Sequence, residues 1–448
     1  MVSEFDDLTD PRRQPTIFAG PGHRVSGGRH GRRRPDLGMH RLLAGIGITA
    51  AVAIASAGSL TAYAAYDVGH GLAENSVDVG GAADSIDGAF NVLAVAADND
   101  PAQGDAYGVR GATLNDSNVL LHVSADHTQA VAVSFPRDLI VDQPACSARG
   151  TMSPAVTNTP LNQAYGRGGL ACVVSTIEHV SGLSIPFAAQ MSFSGIIGLS
   201  DAIGGVPVCV TDRVDDPFTG LKLKAGNHTV SGATALAFLR DRHGVGDGSD
   251  LSRISSLQQF LSSLVRKVKS DGTLEDPTKL YRLARVASKS VVLSTSLAKP
   301  DTLVGIARTF QGIGLDRITF VQYPGTTTDP SYPGKVVPIA ATADQLMRAV
   351  AHDRPIGLDS DAIGRGSTTA TDTATGDTAT GGTDQGGTDE AGGDAGGGGS
   401  AASTRGDSGS TDGGADDAGR ASSASPETIP GVTGQTAEQK TCAVAAAG

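Results

Sequence analysis

Residues 42–66 (LLAGIGITAAVAIASAGSLTAYAAY) form an apolar segment without a charged side chain. About twenty apolar residues in a helix, each rising about 1.5 Å, span the hydrocarbon core of a bilayer. The segment predicts one transmembrane helix, with the basic residues 1–41 in the cytoplasm and the rest of the chain outside the cell membrane. Those basic residues include Arg29, Arg32, Arg33, Arg34 and Arg41. A cleaved signal peptide is the alternative because AYAA resembles a cleavage site, although a leading polar region of about forty residues is unusually long.

The negative charge of the chain is concentrated near its end. The formal net charge is -12, and from Asp361 onward thirteen acidic residues stand against four basic ones. The preceding region is therefore close to neutral, and tryptophan is absent, so the composition does not support general nucleic-acid binding. Residues 359–438, which are rich in glycine, threonine and aspartate, cannot bury a core and predict disorder. The final TCAVAAAG is the part of this tail that can be tied to a domain.

Between residues 89 and 355, strand-like apolar runs alternate with helical patterns. The runs are FNVLAVAA, NVLLHV, AVAVSFP, VPVCV and RITFVQYP, and the helical patterns cover residues 170–181, 195–202, 231–239, 253–269, 277–287 and 342–351. This alternation predicts one layered α/β domain of about 250–270 residues around a central sheet. Residues 67–88 are predicted to be a stalk between membrane and domain, and residues 356–448 a tail.

The four cysteines, Cys146, Cys172, Cys209 and Cys442, form no CxxC pair and have no histidine at zinc-site spacing. Outside the membrane an even number of cysteines favours disulfides. Three connectivities are possible. The pair Cys146–Cys172 is favoured because both residues flank one loop region, and this leaves Cys209 for Cys442. A reduced, buried Cys209 within GVPVCV is the alternative.

Two aspartates fall at the ends of successive predicted strands. Asp98 ends the first strand, at the edge where open α/β sheets commonly bind ligands, and Asp116 begins the next strand. If the two strands pair antiparallel, the carboxylates meet at one edge of the sheet. Two such oxygen ligands beside a phosphate suit Mg²⁺ (or Mn²⁺), which completes its shell with water and substrate. The alternative is that Asp98 is a turn residue and Asp116 a strand cap.

Arginines also gather where predicted strands and helices begin or end. The first follows the strand in SFPRD, where Asp138 can orient it, and the others surround a glycine-rich loop that opens into a helix. Guanidinium groups stay charged and match phosphate oxygens two at a time, so these arginines predict a phosphorylated, anionic ligand. His243, in the same loop, either contacts that ligand or caps the loop. The arginines are Arg137, Arg240, Arg242 and Arg253.

The order and spacing of seven segments resemble the LytR-CpsA-Psr family in its actinobacterial form. The segments are NVLAVAAD, NDSNVLLHV, SFPRD, LNQAYGRGG, DAIGGVPVCV, VSGATALAFLRDRHG and GSDLSRISSLQQFLSSLVRKV. The resemblance implies an α-β-α layered domain with a central mixed sheet, carried by a single N-terminal anchor. It also implies a hydrophobic tunnel for a prenyl chain between the sheet and the helices.

Members of that family are cell-envelope phosphotransferases. The resemblance therefore implies that a glycopolymer moves from a polyprenyl-pyrophosphate lipid to a hydroxyl of peptidoglycan, commonly the muramic acid C6 hydroxyl. The metal-binding aspartates of the family match Asp98 and Asp116. Its pyrophosphate-binding arginines match Arg137, Arg240, Arg242 and Arg253. No motif indicates which glycopolymer is used.

Three positions depart from the family pattern: Leu114, Leu257, and Pro160, which stands where a lysine is frequent. Leu114 stands where an arginine is common, and Arg110 from the preceding loop is its candidate replacement. Leu257 stands where a glutamine is common, and Gln258 is the nearest candidate, although it lies about 140° around the helix axis from Arg253. Two alternatives to an active transferase stay open, of which Leu114 and Leu257 motivate the first. One is a weakly catalytic, lipid-binding accessory wall protein, and the other is a polyprenyl-pyrophosphate hydrolase.

Overall fold

The computed structural model describes residues 66–81, 85–98, 113–148, 150–273, 276–359, 362–370 and 426–446. The predicted cytoplasmic segment and all but the last residue of the predicted transmembrane segment lie outside these ranges. Within them, no helix combines the length and the apolar character needed to cross a bilayer.

The helices predicted from the sequence are all present, to within about three residues at most ends. The described helices are α1 (66–74), α2 (Ala164–Gly168), α3 (Leu170–Ser181), α4 (Phe193–Ala202), α5 (Gly232–Arg240), α6 (Asp250–Ser270), α7 (Pro277–Ser290), α8 (Pro300–Gly312) and α9 (Ala340–Ala351). Helix α8 was not predicted, although its apolar residues Leu303, Ile306 and Phe310 recur at helical spacing. Its start carries the usual signal, a proline in the first turn.

Most of the strands that the sequence did not predict are only two to five residues long. The strands are β1 (Ser76–Val77), β2 (Phe90–Ala97), β3 (Asn115–Val123), β4 (Ala130–Phe135), β5 (Ile140–Gln143), β6 (Cys146–Ala148), β7 (Thr151–Ser153), β8 (Val156–Pro160), β9 (Phe187–Met191), β10 (Val206–Val210), β11 (Val214–Asp216), β12 (Leu221–Leu223), β13 (Gly226–Val230), β14 (Val291–Ser294), β15 (Ile318–Gln322), β16 (Gly325–Thr326), β17 (Val337–Pro338), β18 (Ile356–Gly357), β19 (Ser367–Thr369), β20 (Glu427–Thr428), β21 (Gly434–Thr436) and β22 (Thr441–Ala443).

The central sheet is mixed, as predicted. Its eight strands lie in the order β1-β14-β9-β2-β3-β4-β15-β21. Strands β2, β3 and β4 pair antiparallel, whereas β9 pairs with β2 and β15 pairs with β4 in parallel. A smaller sheet, β13-β10-β22-β19, lies elsewhere in the fold.

Helices cover both faces of the central sheet, which confirms the layered α/β fold. Alternate residues of β3 and β4 belong to different hydrophobic clusters: Leu120 and Val133 to one, Val119 and Ala132 to the other. The first cluster includes side chains of α3 and α9, and the second includes side chains of α4, α6, α7 and α8.

The prediction of a stalk over residues 67–88 is wrong for its first half. Leu72 of α1 is buried in the second hydrophobic cluster. Strand β1 then pairs in parallel with β14, with Ser76 opposite Leu293. A strand of two residues shows no alternation, so the sequence pattern could not distinguish it from a linker.

The prediction of a disordered tail is wrong for residues 356–359, 362–370 and 426–438. Strand β18 pairs with β20, and β21 forms an edge of the central sheet by pairing with β15. The final residues are also part of the fold, because β22 lies between β10 and β19. Residues 371–425, the centre of the predicted tail, lie outside the described part of the chain.

Both favoured disulfides are present. Cys146 is bonded to Cys172, and Cys209 is bonded to Cys442. The second disulfide joins strands β10 and β22, which are 233 residues apart in the chain. The alternative of a reduced Cys209 is therefore wrong.

Candidate active site

A cleft of about 310 Å³ lies where several strands and helices end. Its lining combines charged residues from four separate parts of the sequence with apolar residues of α4, α5 and α6. Five predicted site residues meet there, although they are up to 137 positions apart in the chain. They are Asp116, Arg137, Arg240, Arg242 and Arg253.

Asp116 lies at an irregularity in the pairing of β2 with β3. Ala96 is opposite Ser117 and Ala97 is opposite Asn115, so Asp116 is the extra residue of a β-bulge. A bulge changes the direction of a side chain, and bulges are frequent beside active sites. Here it places the Asp116 side chain in the cleft lining.

Asp98 lies at the same edge of the sheet, as the sequence predicted for antiparallel strands. Its backbone N–H donates to the carbonyl oxygen of Leu114 at 3.0 Å, and its carboxylate accepts the Leu114 N–H at 2.8 Å. Asp98 is 5% exposed and Asp116 is 8% exposed. Asp116 lines the cleft, whereas Asp98 is absent from the cleft lining. The structure thus brings one of the two predicted metal ligands into contact with the cleft, and both have the carboxylate chemistry that Mg²⁺ prefers. Within the described residues no group of three or more acidic, histidine or cysteine side chains forms a complete metal cage.

Asp250 is the negative charge around which three of the cleft arginines are arranged. Its carboxylate accepts the Arg253 Nε–H at 2.9 Å and the backbone N–H of Arg137 at 3.0 Å. The Arg242 guanidinium lies 3.9 Å from the same carboxylate. Burial would raise the pKa of Asp250, but the charges of the three arginines outweigh burial and lower it. Asp250 is therefore a buried, ionised counter-ion.

Asp250 carries no sequence signal for this role. Ser249 caps α6 by accepting the N–H of Ser252, and an acidic residue in the first turn after such a cap is an ordinary helix feature. That local role hid the long-range contact with Arg137. Only the fold reveals it.

Arg137 is fixed by three carboxylates. It donates to Asp116 and lies 3.6 Å from Asp138 and 3.8 Å from Asp250. Burial opposes the charge of this guanidinium, yet the three negative charges raise its pKa. The predicted orienting role of Asp138 is consistent with this arrangement, and Asp138 also holds Lys335 at 2.9 Å.

Carboxylates compensate the positive charge of Arg242 less fully than that of Arg137. It lies 3.6 Å from Asp138, but burial and the neighbouring charge of Arg137 lower its pKa. The buried Nε–H groups of Arg137 and Arg242 have no hydrogen-bond acceptor among the described residues. Negative charge from an anion in the cleft would oppose these effects on the pKa and stabilise the charged form of Arg242.

Arg240 and Arg253 complete the cationic wall. The Arg240 guanidinium lies 4.5 Å from the ring centroid of Phe193, a cation–π arrangement that fixes its position on the last turn of α5. Arg253 donates to the backbone carbonyl of Asp116 at 2.8 Å and so joins α6 to the bulged strand.

Of the two candidate replacement residues, Gln258 is the one within the described part of the chain. Arg110 lies outside the described residues, so its role stays a prediction. Gln258 is 1% exposed and is absent from the cleft lining, and its backbone carbonyl accepts a weak bond from Gln435. Leu257 lines the cleft instead. The helix geometry that separated Gln258 from Arg253 in the sequence thus holds in the structure.

His243 and Phe218 form the outer part of the cleft lining. The rings stack with centroids 4.2 Å apart and an interplanar angle of 31°. Phe218 belongs to the turn between β11 and β12 and was not singled out in the sequence. No local pattern marks it, because an aromatic residue in a turn is not unusual.

An apolar surface of the central sheet leads to the cleft. Along β2, the residues facing α4 and α6 include Val92, which is partly buried, Ala94, which is exposed, and Ala96, which lines the cleft. Central strands of a sheet covered by helices are normally buried on both faces. An exposed side chain at this depth indicates an open apolar space between the sheet and the helices.

Two fully buried aspartates lie beneath the cleft wall. Asp216 accepts the N–H of Phe218 at 2.9 Å and the hydroxyl of Thr219 at 2.8 Å, whereas Asp241 accepts the N–H of Gly244 at 2.8 Å. Burial and the neighbouring Asp216 raise the pKa of Asp241 to about 7. The raised pKa favours a protonated Asp241 in mildly acidic solution, and in that form Asp241 can donate to Asp216 and join the β11–β12 turn to the loop that carries Arg242.

Comparison with known proteins identifies relatives over most of the folded region. The profile of the LytR_cpsA_psr family matches residues 61–345. The cell wall biosynthesis protein LcpA of Corynebacterium glutamicum is 28% identical over 291 residues, which are 58% of this chain and 55% of the relative. The polyisoprenyl-teichoic acid–peptidoglycan teichoic acid transferase TagT of Bacillus subtilis is 27% identical, over 37% of this chain and 51% of its own length.

Two solved structures are also similar to this chain. The crystal structure of B. subtilis TagV has a TM-score of 0.48 at 20% identity and covers 60% of this chain and 99% of that one. The LytR-Csp2A-Psr enzyme from Actinomyces oris has a TM-score of 0.44 at 20% identity and covers 58% of this chain and 89% of that one. The chain spans about half the length of the two curated relatives above. Because the family profile covers well over half of the sequence, this chain belongs to the LytR_cpsA_psr family.

Proposed function

We propose that this protein transfers a glycopolymer from a polyprenyl-pyrophosphate carrier to a hydroxyl of peptidoglycan. The observation that carries the proposal is the convergence of four arginines, Arg137, Arg240, Arg242 and Arg253, on one cleft. A pyrophosphate supplies the charge and the acceptor oxygens that these arginines need. TagT, a relative named as a transferase that joins teichoic acid to peptidoglycan, supports this reaction class.

The proposed reaction is a phosphoryl transfer. The acceptor hydroxyl oxygen forms a bond to the phosphorus that carries the sugar, and the bond from that phosphorus to the bridging oxygen breaks. Polyprenyl monophosphate leaves, and the hydroxyl proton passes to a carboxylate, for which Asp98 and Asp116 are the candidates. Arg137, Arg240 and Arg242 compensate the negative charge that moves onto the bridging oxygen.

A divalent cation, Mg²⁺ or Mn²⁺, is part of the proposal. Asp98 and Asp116 would hold it, because the two carboxylates lie where β2 ends and β3 begins, and Asp116 also lines the cleft with the arginines. When bound, it would neutralise phosphate charge and polarise the phosphoryl oxygens. Arg137 donates to Asp116 and so orients one of the two carboxylates.

The membrane setting is also proposed. An uncharged segment at residues 42–66 after a basic N-terminal region supports an anchor with the N-terminus in the cytoplasm. Two disulfides in the folded domain support an oxidising compartment outside the cell membrane. The open apolar space beside Ala94 suits a prenyl chain. A domain in this position meets both a lipid-linked donor and the wall.

One observation favours a second function. Leu257 places an apolar side chain in the cleft lining where the family commonly has glutamine. A lost polar contact to the pyrophosphate would favour an accessory protein that binds the lipid with little turnover. A hydrolase that uses water in place of the glycan hydroxyl is the other outcome to distinguish.

The test uses the full chain in detergent micelles with a synthetic polyprenyl-pyrophosphoryl saccharide, peptidoglycan oligomers and Mg²⁺, followed by mass spectrometry. We expect a saccharide phosphate joined to peptidoglycan, and its loss in Arg240→Ala and Asp98→Ala. Arg317→Ala, an exposed arginine outside the cleft lining, is the matched control and keeps activity. Released saccharide phosphate without joined product would replace the transferase with a hydrolase. Lipid binding without any product would replace it with the accessory protein.

A further inference from the structure

The mouth of the cleft carries an aromatic ring that the proposed phosphate chemistry does not use. Phe218 is 76% exposed and lines the same cleft as Arg240 and Arg242. Large apolar side chains are exposed at other described positions, but Phe218 is the most exposed of them and the one that lines the cleft. A scattered exposed residue needs no explanation, whereas an exposed aromatic ring at the entrance of a polar cleft is a typical ligand contact.

The Phe218 ring is held in place by His243 on one side. One side of Phe218 stacks on His243 at a centroid distance of 4.2 Å, so the opposite side faces solvent. Asp216 accepts the Phe218 backbone N–H and the Thr219 hydroxyl, and it is itself fully buried. The ring therefore loses little conformational freedom when a ligand covers it, which favours binding.

The ring is also fixed relative to the arginines. Asp216 lies beside Asp241 beneath the cleft wall, and Asp241 holds the turn that follows Arg242 through the N–H of Gly244. The β11–β12 turn and the arginine loop are thus joined through a buried carboxyl pair. A ligand that binds the arginines through phosphate brings its next chemical group to the aromatic ring.

We propose that Phe218, supported by His243, is a sugar-binding subsite that stacks on a pyranose ring of the saccharide beside the transferred phosphate. The face of an aromatic ring is electronegative, and the axial C–H groups of a pyranose are weakly positive and apolar, so the two surfaces attract each other. The Thr219 hydroxyl donates to Asp216, which leaves its oxygen able to accept from a sugar hydroxyl. This inference rests on the proposed function, and the sugar belongs either to the lipid-linked donor or to the peptidoglycan acceptor.

Binding measurements test the subsite without requiring turnover. The full chain in micelles is titrated with geranylgeranyl pyrophosphate, with the same lipid carrying N-acetylglucosamine, and with the N-acetylglucosamine–N-acetylmuramic acid disaccharide. We expect Phe218→Ala to weaken binding of one sugar-bearing ligand by about three- to tenfold and to leave the sugar-free lipid unchanged. The sugar-bearing ligand whose affinity falls in Phe218→Ala shows whether the sugar belongs to the donor or to the acceptor.

Two further variants separate stacking from other effects. Phe218→Trp keeps an aromatic face and should bind the sugar at least as well as the wild type, whereas His243→Ala removes the support and should weaken it less than Phe218→Ala. Met152→Ala, 65% exposed and outside the cleft lining, is the matched control. Equal affinities of wild type and Phe218→Ala for both sugar ligands, or no binding of either by the wild type, would overturn the subsite. If Phe218→Ala weakens sugar binding but the wild type forms no joined product in the transfer assay, only the transferase proposal is overturned.

Discussion

Replacing Asp250 with asparagine removes the negative charge that three cleft arginines share while preserving the shape of the side chain. Asp250 is 3% exposed and lies within 3.9 Å of Arg137, Arg242 and Arg253 side-chain nitrogens. Removing one partner of a buried ion pair costs about 3–5 kcal/mol, and asparagine retains a hydrogen-bond acceptor. We therefore expect a loss of about 2–4 kcal/mol in the free energy of unfolding, or roughly 5–10 °C in the midpoint of thermal unfolding.

The same substitution should change how the protein responds to an anion. With the carboxylate gone, the three guanidinium groups repel one another and the cleft becomes more positive. Inorganic pyrophosphate then provides the missing counter-ion, so it should raise the unfolding midpoint of Asp250→Asn by more than that of the wild type. A role confined to helix capping would lower stability without this extra response.

Thermal unfolding with and without pyrophosphate measures both effects. Asp316→Asn is the matched control, because its side chain is 65% exposed and pairs only loosely with Arg317 at 3.8 Å. Such a surface change should stay within about 0.5 kcal/mol. Two results would refute the role of Asp250 as a shared counter-ion: unfolding of Asp250→Asn at the wild-type temperature, or stabilisation of Asp250→Asn by pyrophosphate no greater than that of the wild type.

Three other predictions test separate parts of the structure. The wild type should lose about 2–3 kcal/mol of stability from pH 5 to pH 8, because the folded-state pKa of Asp241, about 7, lies above its unfolded value, so its contribution is lost as pH rises through 7. Asp241→Asn should flatten this profile, and an unchanged profile would contradict the assignment. Leu257→Gln should tighten pyrophosphate binding several-fold at a stability cost of about 1–2 kcal/mol, since a polar group replaces a mostly buried leucine that lines the cleft; weaker binding would exclude a missing polar contact. Cys442→Ser should destabilise the protein by about 2 kcal/mol more than Cys146→Ser, because its disulfide closes a loop of 233 residues and the other closes one of 26. Equal losses measured by chemical denaturation would argue against the loop-entropy explanation.

The sequence predicted those parts of the fold whose signals are local. Strands β2 and β4 and the long helix α6 carry apolar patterns with the correct period, so their positions followed from sequence alone. The cleft arginines were found because Arg137, Arg240 and Arg253 fall at the ends or starts of such segments. Asp98 and Asp116 needed only the further assumption that two successive strands pair antiparallel.

The remaining parts depend on contacts between distant residues. Asp250 looks like an ordinary first-turn acid until the fold brings Arg137 to it. The β-bulge at Asp116 exists only in the pairing of two strands. Phe218 gains meaning only when its turn lies beside Arg242. None of these relations has a period or a spacing in the sequence.

The low hydrophobicity of the tail was a misleading signal for a physical reason. Helix α6 presents buried polar side chains on one side, and the C-terminal segment covers them with polar groups of its own. Gln259 donates to the carbonyls of Cys209 and Thr441, and Gln435 donates to Ser262. The carbonyls that Gln259 uses belong to the backbone, whereas the fully buried Ser262 hydroxyl depends on the Gln435 side chain. An apolar residue in place of Gln435 would remove this partner, at the cost of a lost buried hydrogen bond.

This cover also reaches the candidate active site. The N–H of Gly246 donates to the carbonyl of Val444, and the N–H of Ala446 donates to the carbonyl of Gly244, so the last described residues pair with the loop that follows Arg242. Helix α6 begins directly after that loop with Asp250. The same C-terminal segment thus fixes both the loop and, through its contacts with α6, the helix that presents Arg253. Because the arginines act only when they are held against their mutual repulsion, the polar end of the chain is as much a part of the cleft architecture as the central sheet.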